Sequence, residues 1–209
     1  MTDIYQYFFS MPFWEWIAVI SALLYVVLAA RENIWCWPAA LVSTVIYSVI
    51  FYDVYLWMDG LLQLYYFAMA IYGWYCWQST LKSAKPQHIQ RWALQTHVIA
   101  IVFLTVLSVG LGWLMANFTP ADFPYIDTLT TVFAVFATYL VAKKVLENWL
   151  YWIVIDAVSI YLYIAKDLQP TAVLFAIYVL MAIYGYMQWS GRYHKKVNLL
   201  ATALSSDAR

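Results

Sequence analysis

A single aspartate inside a long apolar stretch is the first place in this chain where chemistry could concentrate. Trp149, Trp152, Asp156, Ser159 and Tyr163 recur at spacings of three and four, so on a helix they fall near one face. Asp156 lies seven residues past Trp149, about 10 Å along the axis at about 1.5 Å per residue, which places it near the middle of a membrane span. A carboxylate at that depth is costly, and such groups are candidates for function by default. It could pair with a cationic ligand or hydrogen-bond an amino group; the plainer alternative is a protonated Asp satisfied by a neighbouring helix.

A second row, Gln63, Tyr66, Ala70, Gly73 and Trp77, lines one face of an earlier span, and Phe175, Tyr178, Ala182, Gly185 and Trp189 form its counterpart later in the chain. The Ala and Gly pairs read as close helix contacts. Gln63 stands opposite a Phe in the comparison, so it is a candidate ligand contact. Trp35, Trp37, Trp149 and Trp152 cluster near the ends of two spans, where an interfacial aromatic belt competes with a stacking gate for a flat or cationic ring. No H-E-x-x-H, G-x-S-x-G or phosphate-binding glycine loop is present, so neither an enzyme nor a cofactor is expected. Cys36 and Cys76 form no C-x-x-C or Cys/His cluster and read as small buried side chains, giving no metal site. His88, His97 and His194 read as surface or interface residues.

The elements that must position these residues are membrane spans. The chain has 209 residues, 66% hydrophobic and 11% charged, against about 25% charged in soluble domains. Its 12 Trp and 19 Tyr suit membrane–water interfaces and polar-lined cavities. Net charge is zero, so nucleic acid is not an expected partner. The first residues carry no Lys or Arg ahead of the first apolar run and do not read as a cleaved signal peptide.

A span needs about 20 apolar residues. Seven candidates follow: Phe13 to Ala30, Ile34 to Tyr52, Trp57 to Trp77, Ala93 to Met115, Ile126 to Ala142, Trp149 to Ala165 and Pro170 to Trp189. The tail, 190–209, is cytoplasmic and expected to lose order at its end. Of the eleven Lys and Arg residues, ten fall on one side of this arrangement and only Lys166 on the other. The positive-inside rule then puts the N-terminus outside and the C-terminus in the cytoplasm. Asp53, Asp59, Asp122 and Asp127 sit on the outer side.

The chain also contains itself twice. Met69-Ala70-Ile71-Tyr72-Gly73 returns as Met181-Ala182-Ile183-Tyr184-Gly185 at a separation of 112 residues. Upstream, Glu32-Asn33 and Trp37 match Glu147-Asn148 and Trp152 at a separation of 115, which requires a three-residue indel and pairs Asp156 with Leu41. The expected architecture is all-α: a three-helix repeat over 13–77, a linker helix over 93–115, and a second repeat over 126–189. The two repeats run parallel, as in transporters whose bundles rock about a midplane site.

The segment from Glu147 to Asp156, Glu-Asn-Trp-Leu-Tyr-Trp-Ile-Val-Ile-Asp, resembles the signature of the PnuC family of bacterial vitamin transporters. Leu61-Leu62-Gln63 and Ile71-Tyr72-Gly73-Trp74-Tyr75-Cys76-Trp77 are similar to its third-helix pattern. The resemblance implies the three-plus-one-plus-three arrangement of a full-length SWEET relative. It also implies facilitated diffusion of an unphosphorylated vitamin across the bacterial inner membrane, with trapping by a cytoplasmic kinase. Partners are then the vitamin and the bilayer, with room left for a homo-oligomer. The substrate-binding positions it implies are Gln63, Asn148, Trp149, Trp152 and Asp156, with Tyr66 and Tyr178 added from the helix faces. Where the nicotinamide riboside branch tends to carry Asn on helices two and six, this chain has Ser43 and Asp156. The stretch from Arg31 to Ala39 looks more like the thiamine branch, PnuT. Thiamine is therefore the expected substrate, with nicotinamide riboside as the alternative.

Overall fold

The computed structural model describes residues 12–53, 57–82, 88–119, 123–166 and 168–207. Among them are seven helices: α1 Phe13–Ala30, α2 Cys36–Asp53, α3 Trp57–Lys82, α4 Leu94–Phe118, α5 Pro124–Ala142, α6 Asn148–Ala165 and α7 Gln169–Asp207. Five of these (α1, α4, α5, α6 and Gln169–Leu199 of α7) are long and apolar enough to cross a membrane, and α2 contributes a shorter apolar stretch, Cys36–Val49. Large apolar side chains such as Val102, Phe103 and Val106 on α4 stand exposed, the arrangement expected when lipid replaces water around a bundle.

The helix bounds correct the register of the internal comparison. Cys36–Asp53 and Asn148–Ala165 are 112 residues apart at both ends, and Trp57 and Gln169 start α3 and α7 at the same separation. No indel is needed. Trp37 therefore corresponds to Trp149 rather than Trp152, and Asp156 to Thr44 rather than Leu41. The shared Glu-Asn pairs do not align in this frame: Glu32 and Asn33 close the cap of α1, whereas Glu147 and Asn148 start α6.

Packing repeats in the same frame. α1 packs on α2 as α5 does on α6; α2 packs on α3 as α6 does on α7; and the cross contacts α1–α7 and α3–α5 are each other's counterparts, while α4 lies against α5. Both α1 and α5 end in the same cap. Glu32 N–H donates to Ala29 O and Asn33 N–H to Leu28 O, as Lys144 N–H donates to Val141 O and Val145 N–H to Leu140 O. This is the Schellman arrangement, which satisfies carbonyls that a helix end leaves open. Its left-handed residue is usually Gly; here it is Glu32 (φ 54°) and Lys144 (φ 53°).

The described basic connections other than that of Lys166 gather at one end. Arg192 Nη1 donates to Arg31 O at 2.7 Å, and Gln90 Nε2 to Lys143 O at 3.0 Å, while Lys166 pairs with Asp127 at the other end. Lys85, Asp122 and Arg209 lie outside the described residues, as do the side chains of Lys82, Asp53 and Asp59. The tail departs from expectation: α7 continues to Asp207. Past Gly191 the chain runs through Lys, Leu and Ala with no Gly or Pro, a composition that sustains a helix.

Candidate functional site

Two layers of side chains face the interior. The layer nearer the basic end consists of Trp37, Trp77, Trp149 and Trp189, none more than 3% exposed. Trp37 meets Trp77 edge-on (5.4 Å, 86°), and Trp149 meets Trp189 in the same way (5.5 Å, 89°), with Trp77 and Trp189 6.4 Å apart. Glycine is required beneath two of these rings. A Cβ at Gly73 would fall on the Trp37 ring, and one at Gly185 would lie 2.6 Å from the Trp149 ring. The outer pair ties the halves together, Trp77 Nε1 donating to Ala142 O at 3.2 Å and Trp189 Nε1 to Ala29 O at 3.0 Å. These bonds fill carbonyls at the ends of α5 and α1. By contrast, Nε1 of both Trp37 and Trp149 is buried without a hydrogen-bond partner.

About 10 Å deeper, two helical turns on, lies the polar layer. Asp156 on α6 is 5% exposed, and its carboxylate has no hydrogen bond or ion pair among the described residues. Tyr66 on α3 and Tyr178 on α7, counterparts at the separation of 112, both lie within electrostatic reach of it. Thr44, its counterpart on α2, is buried and spends its hydroxyl proton on its own helix, at Ala40 O (2.9 Å) or Leu41 O (3.1 Å). The pair of tyrosines is shared by both halves; the carboxylate belongs to one. A buried carboxyl with no donor among the described residues is costly to ionise alone, and a cation beside it would offset that cost.

The remaining sequence candidates are placed variously. Asn148, fully buried at the start of α6, donates from Nδ2 to Val145 O at 2.6 Å and leaves Oδ1 unpartnered. Gln63 is half-buried on α3, three residues before Tyr66, and makes no hydrogen bond with other described residues. Trp152 packs against the tryptophan core and against a second cluster containing Ala137, Leu140 and Tyr151. Trp35 is not brought to the others: it is 63% exposed and edge-on to Trp74 at 6.0 Å.

Sequence reasoning missed the ionic closure around these layers. Glu32 accepts from Lys144 Nζ (3.3 Å) and Arg192 Nη1 (3.0 Å), drawing the two left-handed cap residues together across the molecule. Glu147 accepts from Arg91 Nε at 2.8 Å, and this bond and charge raise the guanidinium pKa above its ordinary value. Lys143 beside the Tyr72 hydroxyl is likewise raised. His97, expected as a surface or interface residue, is buried, with Nδ1 3.0 Å from Tyr151 Oη and Nε2 3.6 Å from Glu147 Oε2. Its partners are 50 and 54 residues away in sequence, beyond any local pattern. Two clefts open at this basic end, of about 270 and 240 Å³, and Asp156 lines neither. Their rims are solvated charges; the unpartnered carboxylate lies deeper, behind the tryptophans.

Comparison with known proteins places this geometry. Residues 12–191 match the family described as Nicotinamide mononucleotide transporter. The chain is 26% identical over 200 residues to the nicotinamide riboside transporter PnuC of Escherichia coli, covering 84% of each. It is 27% identical over 174 residues to the riboflavin/roseoflavin transporter RibM of Streptomyces davaonensis, covering 81% of each. The crystal structure of the vitamin B3 transporter PnuC shares its fold with a TM-score of 0.69 at 20% identity, over 86% of this chain and 81% of that one.

Proposed function

Because the chain belongs to the nicotinamide mononucleotide transporter family, we propose that it carries a flat, cationic vitamin across the bacterial inner membrane by facilitated diffusion. One observation bears most of the weight: the buried Asp156 carboxylate has no hydrogen-bond or ion-pair partner among the described residues and lies within electrostatic reach of Tyr66 and Tyr178. A cationic ring between the tyrosines would supply the missing charge, and aromatic faces attract cations. Substrate-binding roles fall to Asp156, Tyr66, Tyr178 and Gln63, with Asn148, Trp149 and Trp152 bordering them.

The matched contacts at a separation of 112 favour two parallel three-helix units joined by α4, seven spans in all. The concentration of Lys and Arg at one end favours a cytoplasmic C-terminus. Alternating access would then be a rocking of one unit against the other about the polar layer, with the tryptophan layer as the inner closure. Trapping of the solute would fall to a cytoplasmic kinase.

Nicotinamide riboside is the first candidate solute, since the Escherichia coli relative, matched over 84% of its length, carries that name. Thiamine is the second, favoured by Asp156, which could hold its aminopyrimidine as well as balance its charge. The test is purified protein in liposomes, given labelled nicotinamide riboside, thiamine and riboflavin without a proton or sodium gradient. Equilibration of one of the two cationic vitamins is expected. Uptake of neither, or of riboflavin alone, removes the proposal.

A further inference from the structure

Beyond the transport pathway, the helical extension of α7 carries Arg192, Lys195, Lys196 and Leu199 at positions i, i+3, i+4 and i+7, one stripe of a helix. This stripe lines the cleft of about 270 Å³ together with Glu32 of the α1–α2 turn and His88 and Ile89 ahead of α4. The acidic group there is already neutralised, Glu32 being held by Lys144 and Arg192. Neither Lys195 nor Lys196 has a carboxylate within ion-pair distance among the described residues. The floor is apolar, with Ile89 buried and Leu199 63% exposed. Lysines left unpaired above an apolar floor, one to two turns past Trp189 where α7 leaves the bundle, form an anion site with a greasy neighbour.

We infer that this cleft binds a phosphate-bearing anion, held by Lys195 and Lys196 with Arg192 behind them, and that the headgroup of an acidic phospholipid is its occupant. Basic pockets at the edge of a membrane bundle recognise such headgroups, each lysine adding to the attraction. The phosphate chemistry is shared by soluble phosphate esters. What favours the lipid is the exposed apolar surface of Leu199 and Val197 along the same extension, which acyl chains could cover.

The full chain in detergent, offered equal amounts of phosphatidylglycerol and phosphatidylcholine, can be read by native mass spectrometry. Retention of phosphatidylglycerol over phosphatidylcholine by roughly tenfold is expected, falling to parity in K195Q/K196Q. Lys195 is exposed and Lys196 half-buried, and neither makes an ion pair among the described residues, so the double variant should elute and melt as the parent does. The parent's preference should in addition shrink with added salt, an independent reading should the variant misbehave. The variant K166Q, at the opposite end, should keep the preference. If phosphatidylglycerol is not preferred but millimolar inorganic phosphate raises the melting temperature of the parent and not of K195Q/K196Q, the anion site stands with a soluble occupant. Neither effect, an undiminished preference in K195Q/K196Q, or an equal loss in K166Q, would overturn the inference.

Discussion

At the scale of single residues, Asp156 and Gly185 separate binding from packing. Among the described residues Asp156 has no hydrogen-bond or ion-pair partner. Asp156→Asn preserves shape and removes the charge, so affinity for a cationic vitamin should fall roughly ten- to hundredfold, the worth of a charge-assisted hydrogen bond. Stability in detergent should hold or rise, because an unpaired buried carboxylate is a burden. Calorimetry and a melting curve on the same sample decide it: loss of binding together with loss of stability would make Asp156 structural. Asp156→Thr, which imposes the residue of the other half, should behave alike. Gly185→Ala should instead displace the Trp149 ring, lowering stability by about 1–3 kcal/mol; an unchanged melting temperature would mean that the ring yields freely. The spacing on α6 made the Asp156 face legible in the sequence, because burial follows the helical period. The counterpart of Asp156 was not legible, since two matching letters, Glu-Asn, outweighed a frame that the helix bounds and the packing of Trp149 under Gly185 reveal.

At the scale of elements, α4 shows which glycines matter and what fixes a linker. Gly112 meets α5, where an added Cβ would lie 2.6 Å from Tyr125 Cδ1 and 3.0 Å from its Cα, whereas at Gly110 nothing lies within 4 Å. Gly112→Ala should therefore weaken the α4–α5 contact, while Gly110→Ala should be neutral or stabilising by up to about 1 kcal/mol through helix propensity. Melting curves of the two variants should move in opposite directions; a common direction would refute the packing argument. The start of α4 is fastened through Glu147, which accepts from Arg91 and the Trp92 N–H, and through Gln90, whose N–H donates to Lys144 O at 3.0 Å. Glu147→Gln should speed amide hydrogen exchange at Trp92, with the distant Lys166–Asp127 end unaffected. Helix existence was readable from apolar run length, and so were the C-terminal ends of α1 and α5, at Ala30 and Ala142. The continuation of α7 to Asp207 was not, because polarity in the tail suggested an end where helix propensity carried on.

At the scale of the whole molecule, most of the bonds between halves among the described residues lie at the basic end, with Tyr65 Oη donating to Val135 O at 2.8 Å nearer the middle of α5. Trp77 reaches Ala142, Trp189 reaches Ala29, and Glu32 joins Lys144 and Arg192. On the proposed rocking of one three-helix unit against the other, opening at the basic end would break these bonds, and their strength would set how often it opens. The indole bonds are buried and neutral; the Glu32 hub is charged and half-solvated, which makes it the part most open to adjustment. Glu32→Gln keeps the hydrogen-bonding shape and removes the attraction, and should raise the population open at that end. Each 1.4 kcal/mol lost from the closed state raises that population about tenfold while it remains minor. Cys36, fully buried beside Trp37, reports on it directly. In a Cys76→Ser background, alkylation of Cys36 should run several-fold faster in Glu32→Gln than in the parent. An excess of transported vitamin should change that rate in both, since a solute that binds one state better shifts the balance towards it. Equal rates in parent and variant would show that the tryptophan layer, not the charge hub, governs opening, and would move the inner gate one layer deeper.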